Sequence, residues 1–233
     1  MNKVALVTGS AKGIGKELIK EFASNNYDVI ITYNTSEKEA LELQNYILDN
    51  YDVNCIAIKC DITNEIDIIN MKNEVINIYD NIDVLVNNAA YSCDNYIDQK
   101  TKEEFMKVLE VNLVGTFLVT KHLYRYISGT IVNISSTDAV DTYSDINIDY
   151  SASKAGINSL TKSFALAFPN IKVIGAMPNW TNTESIREMN QDYLLSELKR
   201  IGQDELEDPS IVAKNIIDLI NNDDVVSGDI RRV

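Results

Sequence analysis

The chain has 233 residues, 45% of them hydrophobic and 24% charged, with a net charge of −14 and an isoelectric point near 4.5. That length suits one domain with a sizeable core. Its acidic balance argues against nucleic acid or an anionic membrane surface as a partner, because both repel a polyanion.

The first strand pattern begins close behind Met1, which leaves no room for a signal peptide, and no apolar run reaches membrane-spanning length. Cys55, Cys60 and Cys93 are odd in number and lack metal-ligand spacing with the single histidine, His122. These features predict a cytoplasmic protein with reduced thiols and no metal. No repeat, low-complexity tract or linker interrupts the chain, so residues 1–233 read as a single domain.

In chain order, β-branched runs at residues 4–8, 29–33, 54–59, 84–86, 130–134, 172–176 and 225–226 alternate with helical patterns. The helical patterns cover residues 12–24, 37–49, 65–79, 101–126, 150–168 and 209–221, with a further helical segment at about 183–207 expected to cover the substrate. This alternation predicts an α/β fold of the Rossmann type: a doubly wound, parallel, seven-stranded sheet with helices on both faces. Ligands in such sheets bind outside the carboxyl ends of the strands.

The first strand runs into Gly9-Ser10-Ala11-Lys12-Gly13-Ile14-Gly15 and then a helix. Glycines at a strand-to-helix turn let the backbone approach a pyrophosphate, and the free N–H groups of the helix start favour that anion. Gly9, Ser10, Lys12, Gly13, Ile14 and Gly15 are therefore candidate cofactor contacts. The second strand ends Tyr33-Asn34-Thr35-Ser36 without the carboxylate that would bind an NAD ribose. With Lys12 nearby, Tyr33, Asn34 and Ser36 point to NADP(H) over NAD(H).

Tyr150 and Lys154 stand four residues apart, one turn of a helix and one face. A phenol titrates near ~10, and an adjacent ammonium favours its ionised form, which would tune Tyr150 as an acid for carbonyl reduction. Ser151 to Lys154 also matches a Ser-x-x-Lys acylase motif, but its companion motifs are missing. His122 lies mid-helix, away from any serine–carboxylate pair, and reads as structural.

These motifs recur in order with Asp61-Ile62, Asn87-Asn88-Ala89-Ala90, Asn112, Ser135-Ser136 and the run from Pro178 to Thr183. The set, which spans essentially the whole chain, resembles the short-chain dehydrogenase/reductase family, above all its 3-oxoacyl-acyl-carrier-protein reductases. The resemblance implies NADPH-dependent reduction of a ketone or 3-oxoacyl thioester to a secondary alcohol. Within it, Tyr150 would donate the proton, Lys154 would bind the nicotinamide ribose, and Asn112 would hold a water in a proton relay. Ser136 would bind the substrate carbonyl, with Ser135 its competitor by register. Asp61, beside Ile62, would accept from the adenine amino group, although Asp61 also reads as a helix N-cap. Asn87 would steady the sheet, Ala89 would lie near the adenosine ribose, and Ala90 stands where the family has glycine. Pro178, Thr181 and Thr183 would flank the nicotinamide. Asn179 replaces a glycine, and asparagine tolerates the left-handed backbone expected there. Trp180 reads equally as cleft lining or core.

Several features depart from the acyl reductases. Ile127 and Asn170 stand where basic residues would receive an acidic carrier. Asp138, Asp141, Asp145 and Asp149 crowd the stretch before Tyr150, reading as a solvent-facing loop or as the mark of a polar substrate. The tail from Ser227 to Val233 differs from the family's tetramer-forming ending, so the expected homo-oligomer is a tetramer or a dimer through the long helices. Alternative readings are a non-catalytic NADP(H)-binding sensor and an NAD-linked alcohol or sugar dehydrogenase.

Overall fold

A computed structural model describes residues 2–233. Among them, β1 (Lys3–Val7), β2 (Tyr27–Tyr33), β3 (Cys55–Lys59), β4 (Ile82–Asn87), β5 (Ile127–Ile134), β6 (Lys172–Met177) and β7 (Ile230–Arg232) form one sheet in the order β3-β2-β1-β4-β5-β6-β7. Every neighbouring pair is parallel. The order reverses between β1 and β4, which opens a crevice at their carboxyl ends.

The centre of the sheet is apolar on both faces because helices cover both. Ala5 and Val7 point to one side, against α1 (Gly13–Ser24), α2 (Glu37–Asn50) and α9 (Pro209–Asn221). Val4 and Leu6 point to the other, against α3 (Glu65–Ile78), α5 (Thr116–Leu123) and α6 (Ile148–Ala167). Leu18, Ile19 and Phe22 of α1 are fully or almost fully buried, the 3.6-residue period turning one stripe to the sheet. Each such side chain contributes about 1.5–3 kcal/mol on burial.

Two elements differ from the sequence pattern. The expected single helix at 101–126 is divided: α4 (Lys102–Leu109) starts with a reciprocal Thr101–Glu104 capping box, a π-turn follows at Glu110–Gly115, then α5, and a 3-10 turn at Tyr124–Tyr126 ends the run. Gly115 lies so close to Ile62 that an added Cβ would stand 2.7 Å from the Ile62 Cδ1. The seventh strand is Ile230–Arg232 and not Val225–Val226. Val225 instead packs into the core, and Gly228, at φ 94°, turns the chain so that Ile230 lies beside Gly175. The segment expected at 183–207 contains α7 (Glu184–Arg187) and α8 (Gln191–Ile201), whose Leu194 and Leu198 form a small apolar cluster with Trp180.

Candidate active site

A cleft of about 410 Å³ opens at the carboxyl ends of the strands. It is lined by Gly9, Lys12, Gly13 and Ile14, by Ala90, by Ser136, by Tyr150 and Lys154, and by Pro178, Thr181 and Thr183, with Thr183 against Gly13. These residues come from five separate parts of the chain, and the parallel topology brings them together.

The glycine loop is shaped by close approach. Gly9 has φ 60°, and a Cβ on it would stand 2.8 Å from the Ala89 Cα; one on Gly15 would stand 2.6 Å from the Asn88 Nδ2. Where the β1–β4 ladder ends, the Thr8 hydroxyl extends the seam: its Oγ1 accepts from the backbone N–H groups of Asn88 and Ala89, each at 3.0 Å. Ser10 is turned inward, its Oγ donating to the Val7 carbonyl at 2.8 Å, so it builds the turn and does not face the cleft. The first turn of α1 carries neither a capping side chain nor an acid. Its N–H groups are thus left for an anion.

Other candidates stand back from the cleft. Asn87 donates to Thr120 Oγ1 at 3.0 Å and to Asn133 Oδ1 at 2.8 Å, which spends its amide on the sheet. Tyr33 is buried with its hydroxyl on Glu37, Ile62 packs under Gly115, and Ser36 starts α2 without capping it through its side chain. Asp61 accepts from Asn34 at 3.0 Å and from Thr63; the cap of α3 is Asn64, so the N-cap reading of Asp61 fails by three residues. Lys12, by contrast, lines the cleft and forms a solvent-exposed, screened pair with Glu39 at 2.9 Å. Asn112 is buried: its Oδ1 accepts from Tyr91 N at 2.7 Å, and its Nδ2 donates to Tyr91 O and Ser153 Oγ. Its side chain joins the π-turn to α6 and to the chain after β4.

The two serines separate by geometry. Ser135 donates to the Lys154 carbonyl at 3.2 Å and is buried, whereas Ser136 starts a short turn, its Oγ accepting from the Asp138 N–H at 3.1 Å, and lines the cleft with Tyr150. Lys154 donates to the Ile134 carbonyl at 2.7 Å and lies 5.3 Å from the centre of the Tyr150 ring. Burial pulls Lys154 down to about 8, opposed by the carboxylate of Asp138. The expected lowering of the Tyr150 pKa is reversed: burial, with Asp138 adding to it, raises the phenol. Desolvation wins here because the Lys154 ammonium is directed at a carbonyl.

Asp138 and Asp149 are buried, which corrects the solvent-facing reading for these two; Asp141 and Asp145 are exposed. Asp149 pairs with Lys100 at 2.9 Å, both side chains inaccessible, and accepts from Tyr150 N. Lys100 also donates to the Cys93 carbonyl, fixing the loop after β4 to the start of α6. Burial raises the Asp138 carboxyl, against the hydrogen bond from Thr142. Asn179 does not have the expected left-handed backbone, for among the described residues Asn26 alone of the non-glycines has positive φ. The turn is held instead by Asn179 Oδ1, which accepts from Thr137 Oγ1 at 3.0 Å. Trp180 both lines the cleft and packs against α8. Asn88, from the Asn87-Asn88-Ala89-Ala90 motif, also lines it, as do Tyr91, Asp94 and Asn147, which carried no sequence signal.

The sequence profile of the short chain dehydrogenase family matches residues 3–194. The chain belongs to that family. It is 34% identical over 221 residues to the 3-oxoacyl-[acyl-carrier-protein] reductase FabG of Aquifex aeolicus (strain VF5), covering 92% of this chain and 88% of that relative. The reductase of the same name from Staphylococcus epidermidis (strain ATCC 35984) is 33% identical over 216 residues, covering 88% and 87%. A dehydrogenase/reductase from Sinorhizobium meliloti 1021 superposes with a TM-score of 0.92 at 25% identity, over 99% of this chain and 93% of that one. An actinorhodin polyketide ketoreductase solved with NADPH superposes with a TM-score of 0.88 at 26% identity, over 100% and 95%. A short-chain dehydrogenase is an NAD(P)-dependent oxidoreductase, and the first turn fits such a dinucleotide: Gly9 and Gly13 line the cleft without side chains, and uncapped N–H groups begin α1.

Proposed function

We propose that the protein reduces a small-molecule carbonyl to a secondary alcohol with NADPH, as a cytoplasmic homo-oligomer. The observation that carries this reading is the convergence of Ser136, Tyr150 and buried Lys154, its Nζ 5.3 Å from the centre of the Tyr150 ring, in one cleft continuous with the glycine loop. NADPH is favoured by the absence of an acid at the end of β2 and by Lys12 on the cleft wall, whose weak pair with Glu39 is readily exchanged for a phosphate. Among the described residues, no helix is long and apolar enough to cross a membrane.

The glycine loop and the start of α1 would hold the diphosphate, and Lys154 the nicotinamide ribose. When bound, the nicotinamide supplies hydride to the carbonyl carbon. Ser136 and Tyr150 hold the carbonyl oxygen, and Tyr150 delivers its proton there as negative charge develops. Lys154 offsets the charge left on Tyr150. Asn112 supports the site from behind through Tyr91 and Ser153. The segment of α7 and α8 covers the substrate, tied down by Arg200 Nη2 donating to the Thr142 carbonyl at 2.9 Å.

The test is fluorescence titration with NADPH and NADH, followed by NADPH oxidation with a ketone panel. Tighter NADPH binding is expected, and Tyr150→Phe should lower turnover by about a thousandfold or more while leaving cofactor affinity within a few-fold. Full turnover by Tyr150→Phe would remove the phenol from the mechanism.

A further inference from the structure

Beyond the Ser136–Tyr150 pair, the substrate end of the cleft presents acceptors. Asp138 is 5% exposed and lines the cleft, and one of its oxygens accepts from Thr142 Oγ1 at 2.6 Å. A carboxylate has about four lone-pair sites, so this one can take further donors. Asn147, 7% exposed, also lines the cleft, and its Oδ1 has no hydrogen-bond partner. Asp94 is a third acceptor lining the same cleft. Trp180, Ile186 and Met189 supply apolar surface to the same cleft.

A ligand that fits such a wall brings hydrogen-bond donors next to its carbonyl and an apolar edge. The acyl oxygens of a 3-oxoacyl thioester are further acceptors, which give Asp138 no additional donor and leave Asn147 Oδ1 unpaired. An ammonium would meet the Lys154 ammonium in the same cluster, whereas a hydroxyl adds no charge. Deepening the carbonyl-reductase reading, on which it rests, we infer that Asp138 and Asn147 select small hydroxyketones, with Asp138 the specificity-determining residue.

The test compares 1-hydroxybutan-2-one, butan-2-one and acetoacetyl-CoA as NADPH-consuming substrates of the wild type and of Asp138→Val and Asp138→Asn. The wild type should favour the hydroxyketone over butan-2-one by about a hundredfold in kcat/KM, Asp138→Val should reduce that ratio to a few-fold, and Asp138→Asn should keep part of it. A readout independent of turnover is the rise in melting temperature that butane-1,2-diol gives the NADP+-loaded protein. That rise should vanish in Asp138→Val while NADPH fluorescence titrates normally. The wild-type comparison stands even if the variants fail to fold. Turnover of butan-2-one or acetoacetyl-CoA without preference for the hydroxyketone overturns this inference and leaves carbonyl reduction intact. NADPH binding with no carbonyl reduced overturns both.

Discussion

Lys154 is the titrating group that pH reaches first in this site. Reduction needs a protonated phenol and a charged ammonium; the Tyr150 phenol is raised, while Lys154 sits at about 8. The rate of carbonyl reduction should therefore fall tenfold per pH unit above about pH 8. Asp138 raises Lys154, so Asp138→Asn should move that descending limb to lower pH. A limb that stays in place or rises in pH–rate measurements would assign it to another group. The stability sign runs the same way: a lysine whose folded pKa lies below its unfolded ~10.4 disfavours folding while charged, fully below about pH 8 and decreasingly up to ~10.4. The pairing of Tyr150 with Lys154 was legible because helix geometry alone sets residues four apart on one face. The direction of the phenol shift was not, since it depends on where Nζ points and how deeply the ring is buried. Nor was the burial of Asp138, for aspartates in a connecting segment ordinarily face water.

At the scale of elements, buried amides join the central strands to the helices behind them. Asn133 accepts from Asn87 at 2.8 Å and donates to Thr161 Oγ1 at 3.0 Å, linking β4, β5 and α6, while Asn87 also reaches Thr120 on α5. Asn133→Ala would leave the Asn87 amide and the Thr161 hydroxyl each short of a partner. Asn87 keeps its bond to Thr120 and Thr161 its bond to the Ile157 carbonyl, so the expected loss is about 1–3 kcal/mol in urea unfolding, from two buried hydrogen bonds at ~0.5–1.5 kcal/mol each. A loss under about 0.5 kcal/mol would mean that water fills the gap. The β–α alternation was legible because short β-branched runs and long amphipathic ones differ in period. The π-turn was not, because one extra residue per turn barely alters the polar pattern from Glu110 to Gly115. The seventh strand was misplaced because Val225-Val226 looks more strand-like than Ile230-Arg231-Arg232, an edge strand whose two arginines remain exposed.

For the whole molecule, the surface of α5 and α6 leaves Phe117 42% and Leu166 87% exposed, with Val114 45% exposed in the π-turn between α4 and α5. Apolar side chains grouped on neighbouring helices suit a two-fold interface between copies of the chain. Light scattering should find at least a dimer, and Phe117→Asp with Leu166→Asp should release monomers. A monomeric wild type at micromolar concentration would remove this interface.

The Thr8 hydroxyl that bridges β1 to the start of the β4 loop has a consequence for how long the protein survives in a cell. The seam it extends joins two halves of the sheet whose sequences are nearly 80 residues apart. A dinucleotide cradled there binds only the folded form, and at a hundred times its dissociation constant it would add about 2.7 kcal/mol to the unfolding free energy. Opening would become about a hundredfold rarer, and proteases that act on opened chains would find fewer to cut. Cellular nicotinamide supply would thus govern the abundance of this protein as well as its rate of work.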